Sequence, residues 1–183
     1  ADIMANIEEL VAFIIPKAVE WGRSQQGLHR PRARALTANE QEKYLQFFTK
    51  DVVARARIKE ISLLENPPFY NDLRSIGLTK LIDFTALAGI TFIDTILIAR
   101  KHLIDGIELG PLLFHELVHI VQYDILGVEA FFERYVGGWA ENDFEYTRIP
   151  LEQDAYELEG MYKLKHIESF DVEAEVRRRL GLA

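Results

Sequence analysis

His115, Glu116 and His119 lie in the stretch "PLLFHELVHIVQYDILG", residues 111–127, whose other side chains are almost all apolar. Four residues at about 100° each bring the second imidazole nearly back above the first, so both leave one helical face about one turn apart. Two nitrogens so placed can grip one zinc ion. Glu116 stands about 100° around the helix from His115, close enough to address water at the metal without itself binding the ion. Zinc brings the pKa of its water toward 7, and the carboxylate can take the proton as that water attacks a carbonyl carbon.

The context strengthens this pattern. Leu112, Leu113, Phe114, Leu117, Val118, Ile120, Val121, Ile125 and Leu126 cover most of the circumference, which predicts a helix packed on several sides. A buried polar group without a partner costs a few kcal/mol, and a buried charge costs more. Coordination answers for all three side chains at once. The bland alternative makes both histidines core residues bonded to carbonyls, with Glu116 on a solvent-facing stripe, and needs a separate partner for each.

A catalytic zinc takes three protein ligands and keeps one position open. No histidine follows six residues after His119, because Ile125 stands there, and the chain has no cysteine. His29, His102, His166 or a carboxylate from a later helix remain. The best carboxylate is Glu152 in "IPLEQDAYELE", on a helix begun by Pro150 with Leu151, Ala155 and Leu158 as its buried face. Spacing alone equally allows Glu152 to be a first-turn glutamate favoured by the helix dipole. Asp154 and Glu159 are weaker alternatives.

The pair "LLFHELVHIVQY" and "IPLEQDAYELE", the latter placing Glu152 33 residues after His119, resembles the glutamate-ligand zincin metallopeptidases, the gluzincins. It is especially similar to small bacterial zincin-like proteins with HELxHxxQ and a downstream ExxAY. The resemblance covers roughly residues 90–162. It implies zinc held by His115, His119 and Glu152, with Glu116 as general base and acid. It also implies a peptide or protein substrate that pairs with a strand before the active helix, here the one ending at Ile98. The chain departs from the pattern at Tyr156, where many gluzincins have an aspartate that orients a ligand. For the oxyanion donor, Tyr135, Tyr146, Tyr156, Arg148 and His166 are candidates, with Tyr146 first.

The rest of the chain must position these groups. The apolar spacing Ile7, Leu10, Val11, Ile14, Ala18, Trp21 predicts a helix divided or kinked at Pro16, and "GRSQQGLHRPRARAL" reads as a connector. "TANE" has capping-box spacing, with Thr37 starting a helix that buries Tyr44, Leu45, Phe47 and Phe48. "VARARIKEI" alternates like a half-exposed strand, and residues 91–98 read as one β-branched strand. Helices are expected from Pro111 to the residue before Gly127, from about Val128 to Val136, from Pro150 onward and over "DVEAEVRRRLGLA"; "GGWAENDFEYTRI" reads as a loop.

The 183 residues fit one domain, with a helical part over residues 1–50 and the sheet and metal-site helices over 51–183. The expected class is α+β of zincin type, helix-rich with a small sheet beside the HExxH helix. A net charge of −8 disfavours nucleic acid, and no apolar stretch is long enough to span a membrane. The absence of cysteine and of a signal-like start fits cytoplasm, with Met4 read as the natural start or a leader already removed. The expected function is zinc-dependent peptide hydrolysis. Its rivals are an inactive zincin-like binding module that keeps a structural metal, and a hydrolase of non-peptide amides or esters.

Overall fold

The computed structural model describes residues 6–164 and 168–182. Its elements are α1 (Ile7–His29), β1 (Arg34–Ala35), α2 (Ala38–Tyr44), α3 (Lys50–Arg55), β2 (Arg57–Ile61), α4 (Tyr70–Ser75), β3 (Gly89–Phe92) and β4 (Thr95–Ala99). They continue as α5 (Arg100–Ile104), α6 (Leu109–Leu126), α7 (Val128–Glu141), α8 (Pro150–Lys163) and α9 (Val172–Arg179). The class is α+β, helix-rich with a small mixed sheet. Among the described residues, no helix is long and apolar enough to cross a membrane.

The sheet order is β1-β2-β4-β3, with β2 parallel to β4 and the other pairings antiparallel. β4 is paired on both sides and buried on both faces. Leu97 and Ala99 enter one apolar cluster, while Ile96 and Ile98 enter the other with Leu113, Leu117 and Val118 of α6. A strand enclosed in this way reads as a continuous apolar run.

The expected single strand over 91–98 is a hairpin turning at Ile93 and Asp94. Ile93 has φ +64°, rare for a β-branched residue. The turn is held by its aspartate, which accepts from Gln26 Nε2 at 2.8 Å and Thr95 Oγ1 at 3.1 Å, with Arg30 at 3.5 Å. β3 is consequently an edge strand and β4 is interior. The strand ending at Ile98 therefore has no free edge for a peptide; on this side of the sheet that edge belongs to β3.

Four other expectations change. α1 runs unbroken through Pro16 and across most of the supposed connector, because a buried stripe of Leu10, Ile14, Ala18 and Gly22 packs it along α7 and offsets the lost backbone bond. In "VARARIKEI" the first residues belong to α3, capped by Thr49, and only residues 57–61 form a strand. The capping box at Thr37 and Glu40 is present, but α2 ends at Tyr44, so Leu45, Phe47 and Phe48 follow it and Leu45 is exposed. α7 continues through Gly137 and Gly138 to Glu141. The second glycine serves packing: a Cβ there would lie 2.7 Å from Pro150 Cδ, so only glycine lets α8 begin this close.

α6 crosses the interior. From Leu113 to Tyr123 every residue is buried, as expected for a helix apolar all round. α8 packs along it, burying Leu151, Glu152, Ala155 and Leu158.

Candidate metal centre

Two elements supply the centre. α6 carries His115, Glu116 and His119, and the first turn of α8 carries Glu152; their relative exposures are 4%, 3%, 6% and 3%. The ligand atoms of His115, His119 and Glu152 all lie within 4.8 Å of one another, and no other such group occurs among the described residues. The two Nε2 atoms are 3.2 Å apart, and His115 Nε2 is 3.4 Å from Glu152 Oε1. His119 Nε2 meets the same carboxylate oxygen directly.

The tautomers follow from the other ring nitrogens. His119 Nδ1–H donates to Gln122 Oε1 at 2.7 Å, and Gln122 must present its oxygen because its Nε2 donates to the Leu151 carbonyl at 3.0 Å. His115 Nδ1–H donates to Glu159 Oε1 at 3.1 Å. Each neutral ring therefore aims an Nε2 lone pair at the other and at the carboxylate. Three acceptors converge without a donor, an arrangement that a bound cation or added protons would satisfy. Tetrahedral ligands about 2.0–2.2 Å from one ion stand roughly 3.3 Å apart, close to the two spacings that involve His115.

Without the ion, protons take its place. Burial would lower His115, but its hydrogen bonds to Glu152 and Glu159 outweigh that and push it up to about 10. Burial would lower His119 as well, but the charge and hydrogen bond of Glu152, together with the charge of Glu116, move it up. Burial would raise Glu152, yet the adjacent histidines hold it well below the ordinary carboxylate range.

Glu116 points elsewhere. Thr91 Oγ1, on β3, donates to the Glu116 carbonyl at 3.1 Å and lies 3.3 Å from its Oε2. Tyr123 OH donates to the Thr91 carbonyl at 3.2 Å, so the edge strand is bonded to α6 at two points. A Cβ on Gly89 would lie 3.0 Å from Glu116 Oε1, so the strand backbone runs against the carboxylate. Burial, chiefly, raises the Glu116 pKa above the ordinary value, which makes it a stronger base than a free carboxylate.

Glu116, His119 and Glu152 face one cavity with β3, Tyr135 and Tyr146. Burial first, then the charge of Glu152, keeps both tyrosine hydroxyls protonated and so available as donors. Tyr156 lies outside this cavity, its ring centred 4.4 Å from that of His115 and its hydroxyl 3.3 Å from that of Tyr146.

The other candidates are placed apart from the cluster. Arg148 pairs with exposed Asp143, Asp154 lies 3.6 Å from Arg179, and His29 lies 3.2 Å from the Lys59 ammonium. His102 is on α5, and His166 falls outside the described residues. Glu159, considered as a ligand, instead supports His115 from behind. This supplies what Tyr156 cannot, one helical turn further along α8. Sequence reasoning missed the roles of Gln122 and Thr91. Only Gln122 had a local signal, lying three residues after His119 on the same helical face.

Compared with known proteins, the chain matches no family model, no curated protein and no solved structure.

Proposed function

We propose that this protein is a zinc-dependent hydrolase that cleaves peptide bonds, with His115, His119 and Glu152 holding the metal and Glu116 acting as general base. The observation that carries this reading is the separation of roles around one cavity. Two ligands and the non-ligating Glu116 border it, while Gln122 and Glu159 orient the histidines from behind.

Bound zinc supplies a Lewis acid that acidifies water and polarises a carbonyl. Glu116, raised by burial and steadied by Thr91, receives the proton and later returns it to the departing amine. Tyr146 or Tyr135 donates to the developing oxyanion. The β3 edge offers backbone groups to an extended peptide running past Glu116.

The near-complete burial of all four groups favours a second reading, a binding module with a structural metal. One experiment separates the two. Wild type and Glu116→Gln are loaded with zinc, assayed for metal content and offered a peptide library. Equal metal with a loss of 10²-fold or more in cleavage by the variant supports the mechanism. Equal cleavage removes Glu116 from it, and zinc retained by two proteins that cleave nothing favours the binding module.

A further inference from the structure

A second cavity adjoins the metal-centre cavity. It lies between α1, α4 and α7 and is lined by Ile14, Ala18, Leu73, Val136 and Trp139, among others. Trp21, Phe84, Phe132 and Tyr135 line both spaces, so these four rings form the boundary between them. The chamber leaves about 70 Å³ to the centre of a water-sized sphere, and no charged side chain lines it.

From this adjacency we infer that the chamber is a specificity pocket, receiving a large apolar side chain, aromatic or long aliphatic, of a peptide substrate bound at the metal centre as the dividing rings turn aside. The inference rests on the hydrolytic reading above and names the substrate class for that site.

Interiors are packed to crystal-like density, and here apolar side chains from α1, α4 and α7 leave space beside the metal-centre cavity.

The wall also dictates the occupant. Tyr70 OH is already committed to the Ile82 carbonyl at 2.6 Å, so it adds no demand for a polar ligand. A charged side chain would lose its hydration and meet no counter-charge. An aromatic or branched aliphatic group would leave water for a dry, ring-lined surface. Burying such a group in place of alanine corresponds to roughly 10- to 100-fold in kcat/KM.

Ala18 and Val136 line the chamber and do not border the metal-centre cavity, so Ala18→Leu and Val136→Phe fill the one and spare the other. Thermal melts and zinc content establish that each variant is folded and loaded. Two arms then read the site in the full chain. In the first, toluene is titrated into the metal-free protein and followed by NMR; saturable binding by wild type and its loss in the filled variants are expected. In the second, the zinc-loaded proteins receive a peptide library. Wild type should prefer Phe, Tyr, Trp, Leu or Met over Ala by 10-fold or more at one position beside the cleaved bond. The filled variants should lose that preference while cleaving the alanine peptide as before. Cleavage without the preference, or with it unchanged in both folded variants, overturns the pocket and leaves the hydrolytic reading intact. Toluene binding with no cleavage of any peptide overturns the hydrolytic reading and, with it, the assignment of the occupant.

Discussion

His119 donates its Nδ1–H to Gln122 Oε1 at 2.7 Å, and the glutamine in turn is bound to the Leu151 carbonyl, one residue before Glu152. A single side chain thus sets the tautomer of one ligand and ties the helix that carries it to the helix that carries another. Replacing it by leucine of similar length removes the acceptor while preserving bulk. Zinc affinity should fall 10- to 100-fold in Gln122→Leu, measured by competition with a chromophoric chelator, and should be largely restored in Gln122→Glu. An unchanged affinity in Gln122→Leu would show that the hydrogen bond does not orient the ligand.

The charge balance of the metal-free centre makes its stability depend on pH in a particular direction. His115, with a folded value of about 10, and His119, also raised, bind protons more tightly in the folded chain than in the unfolded one, where 6.5 applies. Their contribution is therefore complete below pH 6.5 and is lost as pH climbs toward 10. Glu152 is lowered from 4.5, so its contribution is present above that value and lost as pH falls through its folded value. The melting temperature in chelator should be highest between about pH 5 and 6.5 and decline on the alkaline side. Zinc requires neutral imidazoles, so its affinity should rise over the same alkaline range and the decline should vanish in the loaded protein. Parallel melting profiles with and without zinc would contradict this account.

Tyr146 lies just before the Glu152 helix and lines the cavity together with Tyr135. Tyr146→Phe removes the donor and keeps the ring. The expected result is a 10²- to 10³-fold loss in kcat, little change in KM and full retention of zinc. If kcat stays within 2-fold while Tyr135→Phe shows the loss, the role passes to Tyr135; if neither variant changes, the donor is not a tyrosine.

What could be read in advance was what local spacing dictates. The i, i+4 geometry places both imidazoles on one helical face, whereas the spacing after Pro150 leaves Glu152 open between an inward side chain and a first-turn glutamate, and it is the resemblance that selects the buried position it occupies. The errors all came from tertiary context. Pro16 sits inside an intact helix because α7 supports it, and the 91–98 run folds back because Gln26 and Arg30, far away in sequence, hold Asp94. Spacing alone does not distinguish a ligand from Glu159's place at the Nδ1 side of the His115 ring, because that depends on how α8 rotates against α6. The apolar chamber left no trace, since its walls come from α1, α4, α7 and the irregular segment near Phe84.

Gly89 offers the most selective way to disturb the base without touching the metal. A methyl there would stand 3.0 Å from Glu116 Oε1 and 3.2 Å from both Glu116 Cδ and Leu112 Cδ1, so the carboxylate must shift by a few tenths of an ångström. Valine adds two further carbons and forces a larger displacement. Because Glu116 is not a ligand, zinc content should be unchanged in both variants. Turnover should fall modestly in Gly89→Ala and by 10-fold or more in Gly89→Val, since proton transfer depends on hydrogen-bond reach. A matching fall in zinc affinity would instead mean that the strand shapes the ligands themselves, and full activity in Gly89→Val would mean that Glu116 tolerates displacement and does not act where it is placed here.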